Sequence, residues 1–275
     1  DAEINSIYNQ GENDADEHWR KIISLAPQLL KSESKDLEVA TWFTEAMVRR
    51  HGFAGLRDSL HLIDGLIEHF WGGLYPEPDE DGIETRVAPL AGLNGTSSEG
   101  VLITPLRKTP ITEGFSPGPF AYYQYQQAIE AERTSNEDAK QSKIDKLGFS
   151  LSVIEQSIAD SSDIYFLNLV DDIQSSITWA KSIENRLDAL CGHDAPSTRA
   201  IVNCLEEIKS AIHHLAKHRL PVEEIAQPVD ATIGDADMMS TPNSSKTSLP
   251  LSDSLPLTRD LAFKRLLELA DFFRR

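Results

Sequence analysis

Apolar residues recur at helical spacing through most of the chain between residues 17 and 218, and this pattern predicts an all-α fold. The first stripe covers residues 17–31, and Pro27 within it is predicted to kink or break the helix. Further helical patterns occupy 119–132, 137–159, 163–190 and 197–218.

Residues 35–76 contain two apolar helical patterns separated by only a few residues. Asp36 is the predicted N-cap of the first helix and Gly52 lies just past its end, while the second begins near Gly55 or Leu56 and ends before Pro76. So short a connection predicts two antiparallel neighbours, a helical hairpin. The faces predicted to be buried are Leu37, Ala40, Trp42, Phe43 and Met47 in the first helix and Leu56, Leu60, Ile63, Ile67, Phe70 and Trp71 in the second.

The helical pattern is interrupted in two places. The β-branched residues of VLITPLRKTPIT, 101–112, favour a short extended segment. Later, Ser, Thr, Pro and Asp predict a flexible linker over 222–257, and 258–275 is predicted to be the first helix of a following helical domain. The expected division is a hairpin or bundle domain with parts 1–113 and 114–221, then this linker and helix, in a chain that begins and ends inside a longer protein.

Charge narrows the range of partners. The 26 basic and 44 acidic residues give a formal charge of -18, which repels phosphate backbones and anionic lipid, so we expect neither nucleic-acid binding nor membrane insertion. Only the short stretch PLRK at 105–108 suggests a local basic patch. Cys191 and Cys204 lie in separate predicted helices, and reduced thiols favour a cytoplasmic location.

Motifs of catalysis or cofactor binding are not found in the sequence, so we expect no enzyme activity, no metal and no cofactor. His214 and His218, one helical turn apart, are the best metal candidates, but a polar helix end explains them more simply because no acidic residue completes a site. The acidic stretch PDEDGIE lacks the spacing of a calcium loop and is interpreted as a solvated turn. Four tryptophans lie on or beside apolar stripes, which favours core packing: Trp19, Trp42, Trp71 and Trp179.

The segment KDLEVATWFTEAMVRRHGFAGLRDSLHLIDGLIEHFWGGLYPEPDEDGIETRVAPLAGLNG, 35–95, resembles the ImpA N-terminal domain family of bacterial type VI secretion. The matching elements are a helix start, a glycine turn, a Trp-x-x-x-Tyr-Pro ending and an arginine after an acidic loop. In this sequence they are Lys35, Asp36, Leu37, Gly52, Gly55, Leu56, Trp71, Tyr75, Pro76 and Arg86. His18 departs from the family, in which an acidic residue usually precedes Trp19. Between 136 and 218 only the helical patterning agrees.

The resemblance implies a non-enzymatic scaffold that helps recruit baseplate and membrane-complex parts and coordinates assembly of the tail tube and sheath. It implies self-association, mainly through a C-terminal region outside this sequence, and a tethered N-terminal arm whose weak binding is strengthened by avidity. Two alternatives stay open: an accessory paralogue that caps or anchors the sheath, and a metal-binding regulator built on His214 and His218.

Overall fold

The computed structural model describes residues 2–80, 82–114 and 116–220, and it describes their side chains from residue 16 onward. Within these residues, nine α-helices follow one another. They are α1 (Ala2–Ser32), α2 (Leu37–Phe70), α3 (Ile83–Asn94), α4 (Ile103–Lys108), α5 (Tyr122–Glu132), α6 (Glu137–Leu147), α7 (Leu151–Asp160), α8 (Asp163–Cys191) and α9 (Arg199–Leu215). The predicted all-α class is confirmed, since no strand occurs among these residues. The predicted linker 222–257 and helix 258–275 lie outside the described residues, and the predicted domain division stays a prediction.

Helix α1 continues through Pro27, so the predicted break is absent. Proline removes one backbone donor from a helix and usually bends it. Here Ala26 and Leu30, on either side of the proline, are 3% and 5% exposed, and their burial holds the turn against the rest of the fold. Tertiary packing thus overrides the local cost of the proline.

Helix α2 forms the predicted hairpin, with its corner at Gly52. Gly52 has φ 59° and ψ −139°, a conformation that residues with a Cβ adopt only at a cost, and helical geometry resumes on both sides. The two arms run back along each other, because the backbone of Tyr75, beyond the second arm, bonds to Lys35 and Leu37 at the start of the first. At the corner Gly55 has no room for a side chain, since a Cβ there would lie 2.3 Å from the carbonyl oxygen of Met47.

The buried face of the first arm differs from the predicted one. Trp42 is 50% exposed and Phe43 and Met47 are half-buried, whereas Thr41 and Thr44 are buried. The two threonines are accommodated inside because their hydroxyls donate to the backbone carbonyls of Glu38 and Ala40, 2.8 and 2.9 Å away. In the second arm Leu56, Leu60, Ile63 and Ile67 are buried as predicted, but Phe70 is 44% exposed.

The most extensive helix packing is between α2 and α8, which share the central core. Asp64, 2% exposed, accepts hydrogen bonds from the Ser182 hydroxyl at 2.7 Å and from Nε of Arg186 at 2.8 Å. Arg57 forms a second ion pair across the same interface with Asp172. A buried carboxylate is tolerated when its oxygens are paired and hydrogen-bonded, and this pairing fixes the register of α2 on α8.

Three predictions about element boundaries are wrong. The stretch predicted to be extended contains helix α4, and Pro110 with Ala121 forms only an isolated bridge. The pattern 137–159 is two helices, since Gly148 ends α6 in the left-handed conformation with φ 76°. Helix α9 ends at Leu215, so His218 is not on the same helix as His214.

Both cysteines are free and buried, Cys191 in α8 and Cys204 in α9. Burial raises the pKa of Cys204 to about 11 and also raises the pKa of Cys191. The thiolate is the reactive form, and at pH 8 a thiol of pKa 11 is ionised in only about one molecule in a thousand.

We therefore expect Ellman's reagent at pH 8 to modify both cysteines slowly in the native protein and at once in guanidinium chloride. Fast labelling of two thiols without denaturant would contradict the packing of α8 on α9.

Candidate interaction site at the base of the hairpin

The base of the hairpin is closed by backbone pairing between two segments far apart in sequence. The amide of Leu37 donates to the carbonyl of Tyr75, and the amide of Tyr75 donates to the carbonyl of Lys35, both at 2.8 Å. These bonds satisfy backbone groups that the ends of the two arms would otherwise leave unpaired. They fix the position of the Tyr75–Pro76 segment relative to the start of α2.

Lys35 and Asp36 connect this base to the neighbouring helices. The carboxylate of Asp36 accepts from the amides of Glu38 and Val39 and caps α2, as its position predicts. The ammonium group of Lys35 donates to the carbonyl oxygens of Leu30 and Lys31 at the end of α1, where a cation also suits the helix dipole. It also lies 5.2 Å from the centre of the Phe70 ring.

Arg86, at 7% exposure, is the buried cation of the base. Its guanidinium donates to the carbonyl of Trp71 at 2.9 Å and to the carbonyl of Pro76 at 3.1 Å, so it ties α3 to the end of the hairpin. The same group lies over the Trp71 ring, 5.2 Å from its centre. Trp71 itself is only partly buried, because it belongs to a 3-10 turn at the surface, Trp71–Gly73.

The ten residues of the predicted family signature thus occupy two places rather than one. Gly52, Gly55 and Leu56 form the corner, while the other seven lie at the base. The corner and the base are separated by the length of one helical arm of α2, about 25 Å. Every contact described above is internal to the fold. Whether any signature residue contacts a partner stays a prediction.

A groove of about 400 Å³ lies beside the base, between the first arm of α2 and helix α3. The apolar part of its lining comprises Trp42, Pro76, Ala88, Pro89, Leu93 and Val101. Sequence reasoning assigned Trp42 to the core and missed this groove. A signal was present, since Glu38, Trp42 and Glu45 share one helical face, and two carboxylates beside an indole are typical of a solvent-facing stripe.

The rim of the groove is acidic. Glu38 and Glu45 line one side, and Pro76 and Thr85 line the other; the described residues between these two carry four exposed carboxylates, which do not line the groove themselves. These carboxylates belong to Glu77, Asp79, Glu80 and Glu84. Glu45 is paired with Arg49 at 2.6 Å. Arg49 does not line the groove, and no other basic side chain does.

A second, larger cleft of about 780 Å³ lies at the other end of the hairpin, at the corner. Two of the three lysine and arginine side chains that line it are paired internally, Arg50 with Asp16 at 2.7 Å and Arg49 with Glu45. The guanidinium of Arg49 also lies over Trp19, 4.8 Å from the ring centre. Trp19 is therefore half-buried against this arginine and is not the core residue that was predicted. Trp179 is likewise half-buried and stacks on His61.

Among the described side chains, no group of three or more His, Cys, Asp or Glu residues could hold a metal ion. His214 and His218 are exposed and are not joined by a third ligand in that part of the chain. In the same residues, no helix combines the length and the apolar character that crossing a bilayer requires.

Residues 2–95, which include the hairpin, its base and most of the groove, match the family model described as ImpA, N-terminal, type VI secretion system. This part of the chain is an ImpA N-terminal region. The chain is also 37% identical over 78 residues to the type VI secretion system component TssA1 of Pseudomonas aeruginosa, a stretch that makes up 27% of this chain and 22% of that protein. The chain therefore spans about a fifth of the length of the curated relative it matches.

A solved structure extends the similarity beyond the ImpA N-terminal region. The N-terminal domain of the TssA component of the type VI secretion system from Burkholderia cenocepacia, which includes the conserved ImpA N-terminal region, is similar with a TM-score of 0.65 and 26% identity. This similarity covers 73% of this chain and 79% of that one. It therefore reaches helices that follow residue 95 as well as the hairpin.

Proposed function

We propose that the chain acts as a non-catalytic structural component of a type VI secretion system. In this role it helps recruit baseplate and membrane-complex parts and coordinates assembly of the tail tube and sheath, in the cytoplasm. The observation that carries the proposal is the combined similarity to TssA proteins, in sequence over the hairpin and in structure over most of the chain.

The geometry of the site agrees with a scaffold. The side chains of Arg86 and Lys35 donate to backbone carbonyls, and the backbone of Tyr75 pairs with Lys35 and Leu37, so internal bonds hold the base and its neighbouring surface in place. Rigid surfaces bind partners with less loss of conformational entropy. The proposal includes self-association through regions outside this sequence, which would multiply a weak individual contact.

We expect the purified 275-residue chain to bind at least one baseplate, sheath, tube or membrane-complex protein from its own organism with a dissociation constant in the micromolar range. Fusion to a ring-forming domain should tighten binding by roughly 100-fold when the captured partner is itself multivalent. Calorimetry of the single chain and surface capture of the ring fusion give the two values, and a ring-forming domain alone is the control. Failure of both forms to bind any of these proteins would contradict the proposed function.

A further inference from the structure

We infer that the groove around Trp42 is a docking surface for a basic segment of a protein partner, which packs an apolar side chain against the indole and pairs lysine or arginine with the acidic rim. The inference rests on the proposed function, because it takes the partner to be a protein of the secretion system. It adds where that partner binds and what chemistry the bound segment has.

The exposure of Trp42 is the first observation. Half of this large apolar side chain faces water, although it is placed in the middle of an ordered helix and adjoins the apolar side chains of Pro89 and Leu93. Tryptophan is the residue type most enriched among those that dominate the free energy of protein association. A second apolar residue that lines the same groove, Val101, is also 50% exposed, so the groove presents more apolar surface than a single exposed ring.

The charge around the groove selects the partner. Glu38 lies one helical turn before Trp42, is exposed and has no ion-pair partner among residues 16–220 that the structure describes. Pro76 and Thr85 line the groove, and the residues described between them carry further exposed carboxylates near it, while the whole chain carries a formal charge of -18. An acidic rim with no basic lining residue repels acidic segments and attracts basic ones, which speeds their association as well as selecting them.

The walls of the groove are held in place before any partner arrives. One wall is the first turns of α2, capped by Asp36 and paired with Tyr75. The other is α3, which Arg86 ties to the carbonyls of Trp71 and Pro76. Because these bonds already fix both walls, binding orders few groups of this chain.

The test compares matched variants of the 275-residue chain against whichever secretion-system protein it binds. Trp42→Ala removes the indole, and Ile164→Ala is its control, an apolar residue 47% exposed on α8 and not part of the groove lining. Glu38→Lys reverses a charge on the rim, and Glu137→Lys, at the exposed start of α6, is the matched charge control. Circular dichroism melting verifies that each variant keeps its fold.

We expect Trp42→Ala to weaken binding at least 10-fold and Glu38→Lys about 5-fold, with both controls within 2-fold of the parent. Raising the salt from 50 to 500 mM should weaken the parent's binding and reduce the difference made by Glu38→Lys. A synthetic amphipathic 18-residue helix of Leu and Lys should shift the indole N–H signal of Trp42 in NMR spectra, whereas the same peptide with Glu for Lys should not.

The outcomes separate this inference from the function on which it rests. If partners bind but Trp42→Ala and Glu38→Lys bind as the parent does, the groove is not the docking surface and the proposed function stands. If the parent binds no secretion-system protein, the proposed function fails and this inference fails with it. If the chain instead associates with itself and Trp42→Ala abolishes that association in sedimentation, the groove belongs to a second copy and the inference of a basic partner is overturned.

Discussion

Replacing Gly55 by alanine is expected to lower the free energy of unfolding by about 3 kcal/mol. A Cβ at this position would lie 2.3 Å from the carbonyl oxygen of Met47 and 2.9 Å from Cβ of His51, so the two arms of the hairpin must separate at the corner. The neighbouring atoms are largely backbone, which cannot turn away as a flexible side chain can. For a domain of this size, such a loss corresponds to a fall in melting temperature of roughly 6 to 12 °C.

The control for this prediction lies in the same helix. Gly65 has no atom within 4 Å of the position where a Cβ would be, and its backbone is helical. Alanine there should stabilise the protein by about 0.5 to 1 kcal/mol, because it restricts the unfolded chain and favours the helix. Thermal melts of the two variants should therefore shift in opposite directions. Equal melting temperatures for Gly55→Ala and the parent would show that the arms do not meet at Met47.

Replacing Arg86 by alanine should cost about 3 kcal/mol of stability, the second large effect we expect. The substitution removes the guanidinium that donates to the carbonyls of Trp71 and Pro76 at a partly buried position, and with it the cation over the Trp71 ring. Urea unfolding followed by circular dichroism gives the change in free energy. The base of the hairpin would then loosen, so hydrogen exchange of the Tyr75 amide should quicken as well.

Two further variants distinguish the loss of these bonds from a general loss of charge. Arg86→Lys keeps the charge but offers a single ammonium where the guanidinium reaches two carbonyls, so it should recover only part of the stability. Arg20→Ala removes an exposed arginine paired with Asp16 four residues away and should change stability by less than about 0.5 kcal/mol. If Arg86→Ala unfolds like Arg20→Ala, the arginine does not hold the base together.

Local signals in the sequence were sufficient for the class of fold and for several helix ends. The N-cap at Asp36 and the turn at Gly52 depend on the chemistry of one residue and its near neighbours, and both are found where they were expected. The left-handed Gly148 is a signal of the same kind that the continuous pattern 137–159 concealed. The segment around α4 was misread because its β-branched residues favour strands only when a neighbouring strand is there to pair with them.

The candidate site could be predicted only in part. The signature residues mark the base and the corner, but Arg86 acts through carbonyls 10 and 15 residues earlier, contacts that no local pattern reveals. The groove depends on α3 lying against the first arm of α2, and therefore on the closure of the base. Sequence reasoning could name the acidic turn and the tryptophan separately, but not the groove that Trp42 shares with Pro76 and Thr85, the residues on either side of that turn.

The sequence by itself determined that this protein is helical, that a hairpin lies between residues 35 and 76, and that the whole chain is strongly acidic. Tertiary structure alone decided which side of each helix is inside: Thr41 and Thr44 are buried and Trp42 faces the groove, against the order of their hydrophobicity. The physical reason is that helical periodicity is a property of neighbouring residues, whereas burial depends on which distant helix packs on each face. For the first arm of α2 the groove at Trp42 lies against α3, and the second arm is held on α8 by Asp64 and Arg186, 122 residues apart.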